Sequence, residues 1–303
     1  MNDIIGSIYG QYAEKSDTIE CLDNGFVKIV DCMPRLLRDA EDTSDYAIAE
    51  AARCSYQRGT KTIADDKTLI RYLLRHNHTS PFEMVEFKFH CKMPMFVARQ
   101  WIRHRTASVN ELSGRYSEMP EEYYIPTELR VQSQTNTQGS DGRIDSEDET
   151  TFIEWIGTQG RQDFSLYEDI LGTGAAREQA RIVLPLSTYT EWFWKIDLHN
   201  LLHFLDLRCD SHAQKEIQVY GDAILELIRP IVPWTIEAWE DYSTYRGGMV
   251  LTRYEVEALK EYLQEVDVLK ESSRNTELKI KDISAKNKLE NREWKEKSKR
   301  LGF

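Results

Sequence analysis

A short segment of the chain concentrates four basic side chains of the kind that bind phosphate. Arg103, His104, Arg105 and Arg115 lie within the string RHRTASVNELSGRY, at a predicted helix end and in the polar loop that follows it. The planar guanidinium group of arginine donates paired hydrogen bonds to a phosphate or to two neighbouring carbonyl groups. Between the arginines the loop carries further polar or small residues, namely Ser108, Asn110, Glu111, Ser113 and Gly114. The segment therefore predicts a phosphate site with a polar neighbour that could hold a ring.

Two further arginines stand in largely apolar stretches, Arg181 in ARIVLP and Arg208 in FLDLRCD. Because an unpaired buried charge is costly, each of them predicts a partner or an anionic ligand. The alternative is an arginine-rich surface loop whose charges pair with the many acids of the chain. For an isolated RHR that alternative would be the better interpretation, but the full string places many specific polar types between apolar helices.

Hydrophobic periodicity predicts the elements that would hold these side chains. Strict alternation over 84–92 predicts a half-buried strand, and the aromatic and β-branched run 187–197 predicts a second one. A helix over 95–104, opened by Pro94, leads directly into the basic segment. Shorter strands are predicted at 26–31 and 123–125, and helices at 45–54, 65–76, 152–171, 176–183, 198–207 and about 212–228.

Composition limits the class of protein and its partners. The net charge is −12, so general binding of nucleic acid is not expected, because phosphate contacts need a basic surface. No apolar run approaches the roughly 18 residues of a membrane span, and the N-terminus does not resemble a secretory signal. The five cysteines are scattered and form no CxxC pair, which favours a reducing cytoplasm over a disulfide framework or a zinc site.

Shifts in composition predict the domain organisation. Residues 1–21 are predicted to form an N-terminal extension, 22–250 the domain that carries the basic segment, and 251–303 a charged helical C-terminal extension. Within the domain, 131–150 are polar, acidic and without periodicity, which predicts a surface insertion without regular structure. Apolar residues at 3-4-3 spacing from Val256 predict a charged amphipathic helix, and a helix that docks on a neighbouring subunit is the alternative.

The basic segment resembles the signature RHRxxSxNExSxRY of the flavin-dependent thymidylate synthases, with every fixed position present. The resemblance extends over roughly residues 22–245. Segments similar to those of the family follow in the family's order: RCSYQRG, HTSPFE, FVARQW, REQARIVLPL and HNLLHFLDLRCDSHAQKEIQ. A signature of this length is far more specific than a lone glycine motif.

The resemblance implies a fold and a reaction. The fold is α+β, with a central, antiparallel-rich twisted sheet flanked by helices, in a single elongated domain that forms a homotetramer with shared active sites. The reaction transfers the methylene group of methylenetetrahydrofolate to C5 of dUMP, while FAD reduced by NADPH supplies a hydride. The family needs no enzyme nucleophile, and this fits the absence of a Pro-Cys segment, which classical thymidylate synthases use.

The resemblance also implies roles for individual residues. Arg208 would stabilise negative charge on the pyrimidine, from its N3/O2 edge, as a fixed cation can in a dry site. His78 would lie at the flavin face where folate and nicotinamide dock, and Ser55 and Glu83 are further flavin-pocket candidates. The dUMP ligands would be Gln100, Arg103, Glu111, Ser113, Gly114, Arg115, Arg181 and Arg208, with Arg115 and Arg181 mainly at the phosphate. The FAD ligands would be Ser80, Arg103, His104, Arg105, Glu111, Asp197, His199 and His203. Asp197 and His199 stand where the family pattern often has Asn and Arg.

Other interpretations of these residues remain open. Ser113 resembles a nucleophile, but no histidine is placed to activate it, so a phosphate contact is the better interpretation. His199 and His203 have the i, i+4 spacing of metal ligands, yet the Glu of HExxH is missing, so no metal site is predicted. Two rival functions are a regulatory relative that binds dUMP without producing dTMP, and an assembly protein that acts through 251–303. Deleting that tail would leave a synthase active.

Overall fold

The computed structural model describes residues 17–34, 43–54, 62–134, 138–243 and 251–261. The chain divides into two compact units, residues 1–246 and 247–303. In the second unit the described residues form a helix over 253–261, opened by reciprocal hydrogen bonds between Thr252 and Glu255. The later part of the seam that begins at Val256 lies outside the described residues.

A five-stranded antiparallel sheet forms the centre of the first unit, in agreement with the expected α+β class. Its strands in chain order are β1 (Thr18–Cys21), β2 (Gly25–Met33), β3 (Glu86–Pro94), β4 (Ser108–Glu111) and β7 (Tyr189–Asp197). A separate hairpin consists of β5 (Arg130–Gln132) and β6 (Ser140–Arg143). The spatial order of the sheet is β1-β2-β3-β7-β4, and β3 pairs with β7 along the full length of both strands.

The α-helices of this unit are α1 (Asp45–Cys54), α2 (Ile63–Arg75), α3 (Met95–Trp101), α4 (Glu149–Gly172), α5 (Arg177–Ala180), α6 (Leu198–Arg208), α7 (Lys215–Ile228) and α8 (Pro233–Tyr242). Two short 3₁₀ helices span Phe82–Met84 and Arg181–Val183. Local chemistry fixes where several of them begin. A capping box between Thr62 and Asp65 opens α2, and the carboxylate of Asp45 accepts hydrogen bonds from the backbone of Trp234 and Thr235 in the first turn of α8.

The alternation of β3 gives the sheet two unlike faces. Phe87 and Phe89 are completely buried on one face, whereas Lys88 between them is exposed. Helix α7 has an apolar face that includes Tyr220 and Ile224, and this face belongs to the same hydrophobic core as the buried face of the sheet. The ends of α3 and α6, which carry the basic residues, are thus attached to a large aromatic core.

One segment expected to lack regular structure contains two strands instead. The prediction for 131–150 was wrong in its described part, because β5 and β6 pair there and α4 begins at Glu149. Two ion pairs hold this polar hairpin. Arg143 pairs with nearby Glu149, and Arg130 pairs with Glu216, 86 positions away in the sequence, at 2.6 Å. Local periodicity does not reveal such pairs.

Smaller expectations also need correction. The expected strand at 123–125 is an isolated bridge between Tyr123 and Thr188. The expected N-terminal extension ends within the sheet, because Thr18–Cys21 is strand β1. The helix predicted over 95–104 ends at Trp101, since the chain turns there and the N–H of His104 donates to the carbonyl of Trp101 at 3.0 Å.

Candidate active site

The ends of two helices meet at the candidate site because both pack on the same aromatic residues. Trp101, the last residue of α3, is completely buried, and its ring centroid lies 5.0 Å from that of Phe204 and 5.1 Å from that of Trp194. Arg103 follows Trp101 by two positions, and Arg208 follows Phe204 by one helical turn. Packing of the core therefore sets the spacing of the two arginines.

A cavity of about 470 Å³ opens between these helix ends. Its lining includes five residues that the sequence singled out, Arg103, His104, Arg105, His203 and Arg208. The remaining lining residues are Thr106, Ile196, Asn200 and Leu207, which sequence reasoning did not name. The position of Asn200, three residues before His203 on α6, is the signal that could have identified it, because i and i+3 share a helix face.

Arg208 is held at this cavity by a hydrogen bond that fixes its orientation. Its Nε donates to Nε2 of His104 at 3.1 Å, and its Nη2 donates to the backbone carbonyl of Gln100 at 3.4 Å. Burial, together with the nearby charges of Arg208 and His203, lowers the pKa of His104 from 6.5 to about 4. A neutral His104 is the form that can accept this hydrogen bond, so its low pKa keeps the arginine in place at neutral pH.

The positive charge of the cavity is not neutralised from within the described parts of the chain. There, no acidic side chain pairs with Arg103, Arg105 or Arg208. Burial also lowers the pKa of Arg208, which reflects the cost of holding its charge away from water. Unpaired guanidinium groups around a cavity are suited to an anionic ligand, and their donor set fits the phosphates of a flavin nucleotide.

A second group of predicted residues lies beside a 3₁₀ turn. A Cβ atom on Gly114 would come within 3.3 Å of Cδ of Arg181 and 3.0 Å of Sδ of Met119, so this backbone lies directly against Arg181. Arg181 is exposed, contrary to the apolar surroundings expected from its sequence, because it begins the turn Arg181–Val183 at the surface. Arg115 is also largely exposed, with Nε 3.5 Å from the carboxylate of Glu178. Such a pair is weak and leaves Arg115 available to a ligand.

Strand β4 carries the acid of the basic segment. Glu111 is exposed on this edge strand, and its Oε1 accepts a hydrogen bond from Oγ1 of Thr190 at 2.7 Å. Ser113 follows the strand and accepts a hydrogen bond from the N–H of Arg115 at 3.3 Å. The sequence did not predict β4, because all four of its residues are exposed and no apolar alternation marks it.

Asp197 has a structural partner of its own. Its carboxylate caps α6, accepting from the backbone N–H of Asn200 at 3.0 Å and from the side-chain amide of Asn200 at 2.7 Å. An acid is therefore explained at this position by the helix that it opens. His199 is half-buried in the first turn of the same helix, and its contact with FAD, like that of Asp197, stays a prediction.

Other predicted residues lie outside the cavity lining. His78 and Ser80 are exposed in the turn that follows α2, where the ring of His78 stands edge-on to that of Tyr72 with centroids 5.9 Å apart. Gln100 is half-buried, and its side chain donates a hydrogen bond to Gln214. Ser55 lies outside the described residues.

Comparison with known proteins places the chain in a family. A family described as thymidylate synthase complementing protein matches residues 35–234. A flavin-dependent thymidylate synthase of Dictyostelium discoideum is 53% identical over 240 residues, 78% of either chain. Another, of Gluconobacter oxydans, is 45% identical and is matched over 88% of this chain and 86% of its own. The chain belongs to the flavin-dependent thymidylate synthase family.

A solved structure of related fold shows what a relative binds. The UMP/dUMP methylase PolB of Streptomyces cacaoi, bound with 5-Br dUMP, has a TM-score of 0.65 and 31% sequence identity, over 74% of this chain and 98% of its own. PolB is therefore similar in overall fold to this member of the flavin-dependent thymidylate synthase family. None of the helices described for this chain is long and apolar enough to span a membrane.

Proposed function

We propose that the chain converts dUMP to dTMP by reductive methylation. The carbon comes from methylenetetrahydrofolate, and FAD reduced by NADPH is the hydride source. Membership of the family supports the reaction, and the UMP/dUMP methylase PolB supports a uridylate substrate. The observation that carries the proposal is Arg208, fixed by neutral His104 at a cavity whose other arginines are unpaired within the described residues.

The atoms of the reaction balance without an enzyme nucleophile. The methylene carbon and one hydride become the methyl group. The proton lost from C5 and one proton from solvent complete the two N–H bonds left on the folate, and the products are dTMP, tetrahydrofolate and NADP⁺. Burial raises the pKa of the Cys209 thiol, the neighbour of Arg208, well above its ordinary value, which supports a mechanism without a thiolate at this position. Burial similarly raises the pKa of Cys21 to about 12.

Arg208 would activate the pyrimidine electrostatically. C5 of uracil is a weak nucleophile, and its reaction with an electrophilic carbon becomes easier when negative charge on the ring is stabilised. The half-buried guanidinium, with one N–H on His104 and another on the Gln100 carbonyl, retains further N–H groups for the ring. A fixed cation in a site of low dielectric stabilises such charge strongly.

The remaining side chains would bind and orient the ligands. Arg115 and Arg181 would bind the dUMP phosphate, with Ser113 and Gly114 beside them. When bound, reduced FAD supplies the hydride, and the cavity arginines provide donors for its phosphates. The FAD set is Ser80, Arg103, His104, Arg105, Glu111, Asp197, His199 and His203. Gln100 would contact dUMP, and His78 would lie at the face where folate and nicotinamide dock.

The proposal extends to assembly, compartment and domain limits. We propose a cytoplasmic homotetramer with active sites shared between subunits, which would bring the exposed phosphate arginines of one subunit to a cavity of another. The catalytic domain is taken as 22–250, although strand β1 begins at Thr18. Residues 251–303 would form a C-terminal extension that takes no part in the reaction. Size-exclusion chromatography with light scattering would test the tetramer.

One reconstitution tests the function. Purified protein is mixed with FAD, NADPH, dUMP and methylenetetrahydrofolate, and dTMP is measured by chromatography. We expect yellow protein, NADPH oxidation stimulated by dUMP, and dTMP only when every component is present. A parallel reaction with UMP tests the broader substrate range of PolB. Colourless protein that takes up no added FAD would refute the proposal.

A further inference from the structure

A chain of hydrogen bonds runs from the β5–β6 hairpin to Gln100. Arg130 on β5 donates from Nη2 to Oε1 of Glu216 at 2.6 Å. The other carboxylate oxygen of Glu216 accepts from Nε2 of Gln214 at 2.8 Å. Oε1 of Gln214 in turn accepts from Nε2 of Gln100. The backbone carbonyl of Gln100 accepts a hydrogen bond from Arg208. The chain of hydrogen bonds therefore ends beside the residue proposed to activate the pyrimidine.

The chain of bonds has only one direction while Glu216 is ionised. A carboxylate accepts hydrogen bonds and donates none, so Gln214 must turn its NH₂ group towards Glu216. The carbonyl of Gln214 then faces Gln100, which must present its own NH₂ group in return. The side-chain amide of Gln100 then has its oxygen and one N–H left to bind a ligand. A reversed chain would offer a different set of atoms to dUMP.

Arg130 maintains that ionised state. Glu216 is almost completely buried, with 5% of its side chain exposed, and burial alone would raise its pKa. The hydrogen bond from Arg130, with others from backbone and Gln214, instead lowers the pKa below its ordinary value. A second titratable residue, Tyr124, also contacts this carboxylate. Its hydroxyl donates a hydrogen bond to Oε1 of Glu216 at 3.3 Å, and burial together with Glu216 raises its pKa. Tyr124 therefore remains a neutral donor.

We propose that Arg130 and Glu216 are positioning residues for dUMP, which act through Gln214 to fix the orientation of the Gln100 amide. This inference rests on the proposed function, because it takes dUMP as the ligand of Gln100. It assigns a role to the polar hairpin, which the basic signature does not include. The hairpin holds one end of the chain of bonds, and the substrate lies at the other.

Arg130→Met tests the role of the charge, and Arg143→Met is a matched control. Arg143 is the residue opposite Arg130 in the hairpin register and pairs with Glu149 outside the chain of bonds. In full-length, FAD-loaded protein, Arg130→Met should raise the Kd and KM for dUMP about tenfold or more, the effect of losing a charged hydrogen bond. FAD content should stay at the wild-type level, and kcat at saturating dUMP should change much less than KM. Arg143→Met should leave both constants near wild type.

The pH dependence separates positioning from simple loosening of the hairpin. Without Arg130, burial raises the pKa of Glu216, and its protonation lets the chain of bonds reverse. The Kd of Arg130→Met for dUMP should therefore rise more steeply than that of wild type as pH falls from about 8 to 6. Ionisation of the dUMP phosphate affects every variant alike. Arg143→Met should follow the wild-type slope.

Exchanging the amide and the carboxylate of positions 214 and 216 tests the direction of the hydrogen bonds even if Arg130→Met folds poorly. Glu216→Gln should weaken dUMP binding, because the new amide can donate to Gln214 and turn it around. The double variant Gln214→Glu/Glu216→Gln restores an acceptor facing Gln100 and an amide whose carbonyl can accept from Arg130. It should recover most of the lost affinity.

The outcomes distinguish the two proposals. A wild-type protein that does not bind dUMP would overturn the proposed function and the inference with it. A wild type that produces dTMP, with unchanged dUMP affinity in both Arg130→Met and Glu216→Gln, would overturn the inference alone. Equal losses in Arg130→Met and Arg143→Met, or a double variant no better than Glu216→Gln, would show a structural effect of the hairpin and would also overturn it.

Discussion

Replacing Arg208 by alanine removes the charge proposed to stabilise the activated pyrimidine. The guanidinium is half-buried and oriented by His104, so its interaction with ring charge is screened less than in water. Two unit charges about 4 Å apart at an effective dielectric constant of about 20 attract by about 4 kcal/mol. Loss of one oriented donor to a developing anion costs about 10²–10³ in kcat. We therefore expect kcat to fall by about 10²–10³, the range that both arguments support.

The assay must separate turnover from binding. Production of dTMP at saturating dUMP gives kcat, titration of FAD-loaded protein with dUMP gives Kd, and absorbance gives FAD content. Because Arg208 acts most strongly on charge formed during the reaction, Kd should rise by less than about tenfold. Arg208→Lys should be intermediate, since lysine keeps the charge without the planar group that His104 orients. Arg161→Ala on the exposed surface of α4 is a control for the loss of an arginine.

Two results would refute the reasoning. Normal turnover by Arg208→Ala would show that the pyrimidine is activated without this charge. A loss confined to Kd, with kcat unchanged at saturating dUMP, would make Arg208 a ground-state binding residue.

Three further predictions concern a phosphate ligand, a helix cap and the histidine that orients Arg208. Arg115→Ala should raise the Kd for dUMP by about tenfold by loss of a charged hydrogen bond to phosphate, while the melting temperature stays unchanged, because its pair with Glu178 is exposed. Asp45→Ala should lower the free energy of unfolding in urea by about 1–2 kcal/mol, because the carboxylate caps α8; unchanged stability would contradict this role. The pKa of His104 is lowered from 6.5 to about 4, so the unfolded chain binds more protons in that range, and stability should fall as pH is lowered through it. His104→Gln should show a smaller fall, and equal pH slopes for the two proteins would contradict the assignment.

The sequence predicted those parts of the fold that local patterns determine. Alternation over 84–92 predicted β3, and the aromatic run 187–197 predicted β7, its partner in the sheet. The polar hairpin was missed because its strands carry no apolar alternation and are held by ion pairs, one of which reaches Glu216, 86 positions from Arg130. Edge strand β4 was missed for the first of these reasons.

The candidate site shows the same division. The basic signature and Arg208 were identified from residue type and resemblance, and the structure brings Arg103, His104, Arg105 and Arg208 to one cavity. The bond between Arg208 and His104 joins residues 104 positions apart, so only the tertiary structure reveals it. Arg181 was expected in apolar surroundings because its sequence neighbours are apolar, yet the 3₁₀ turn exposes it.

The shared aromatic packing of Trp101 and Phe204 has a consequence for ligand affinity. Both helix ends pack on one close-packed core. The backbone segments that carry Arg103 and Arg208 are therefore preorganised before any ligand binds. Less conformational entropy is then lost on binding, and more of the contact energy appears as affinity. A mutation that loosens this aromatic contact would weaken ligand binding through entropy while leaving every polar contact residue intact.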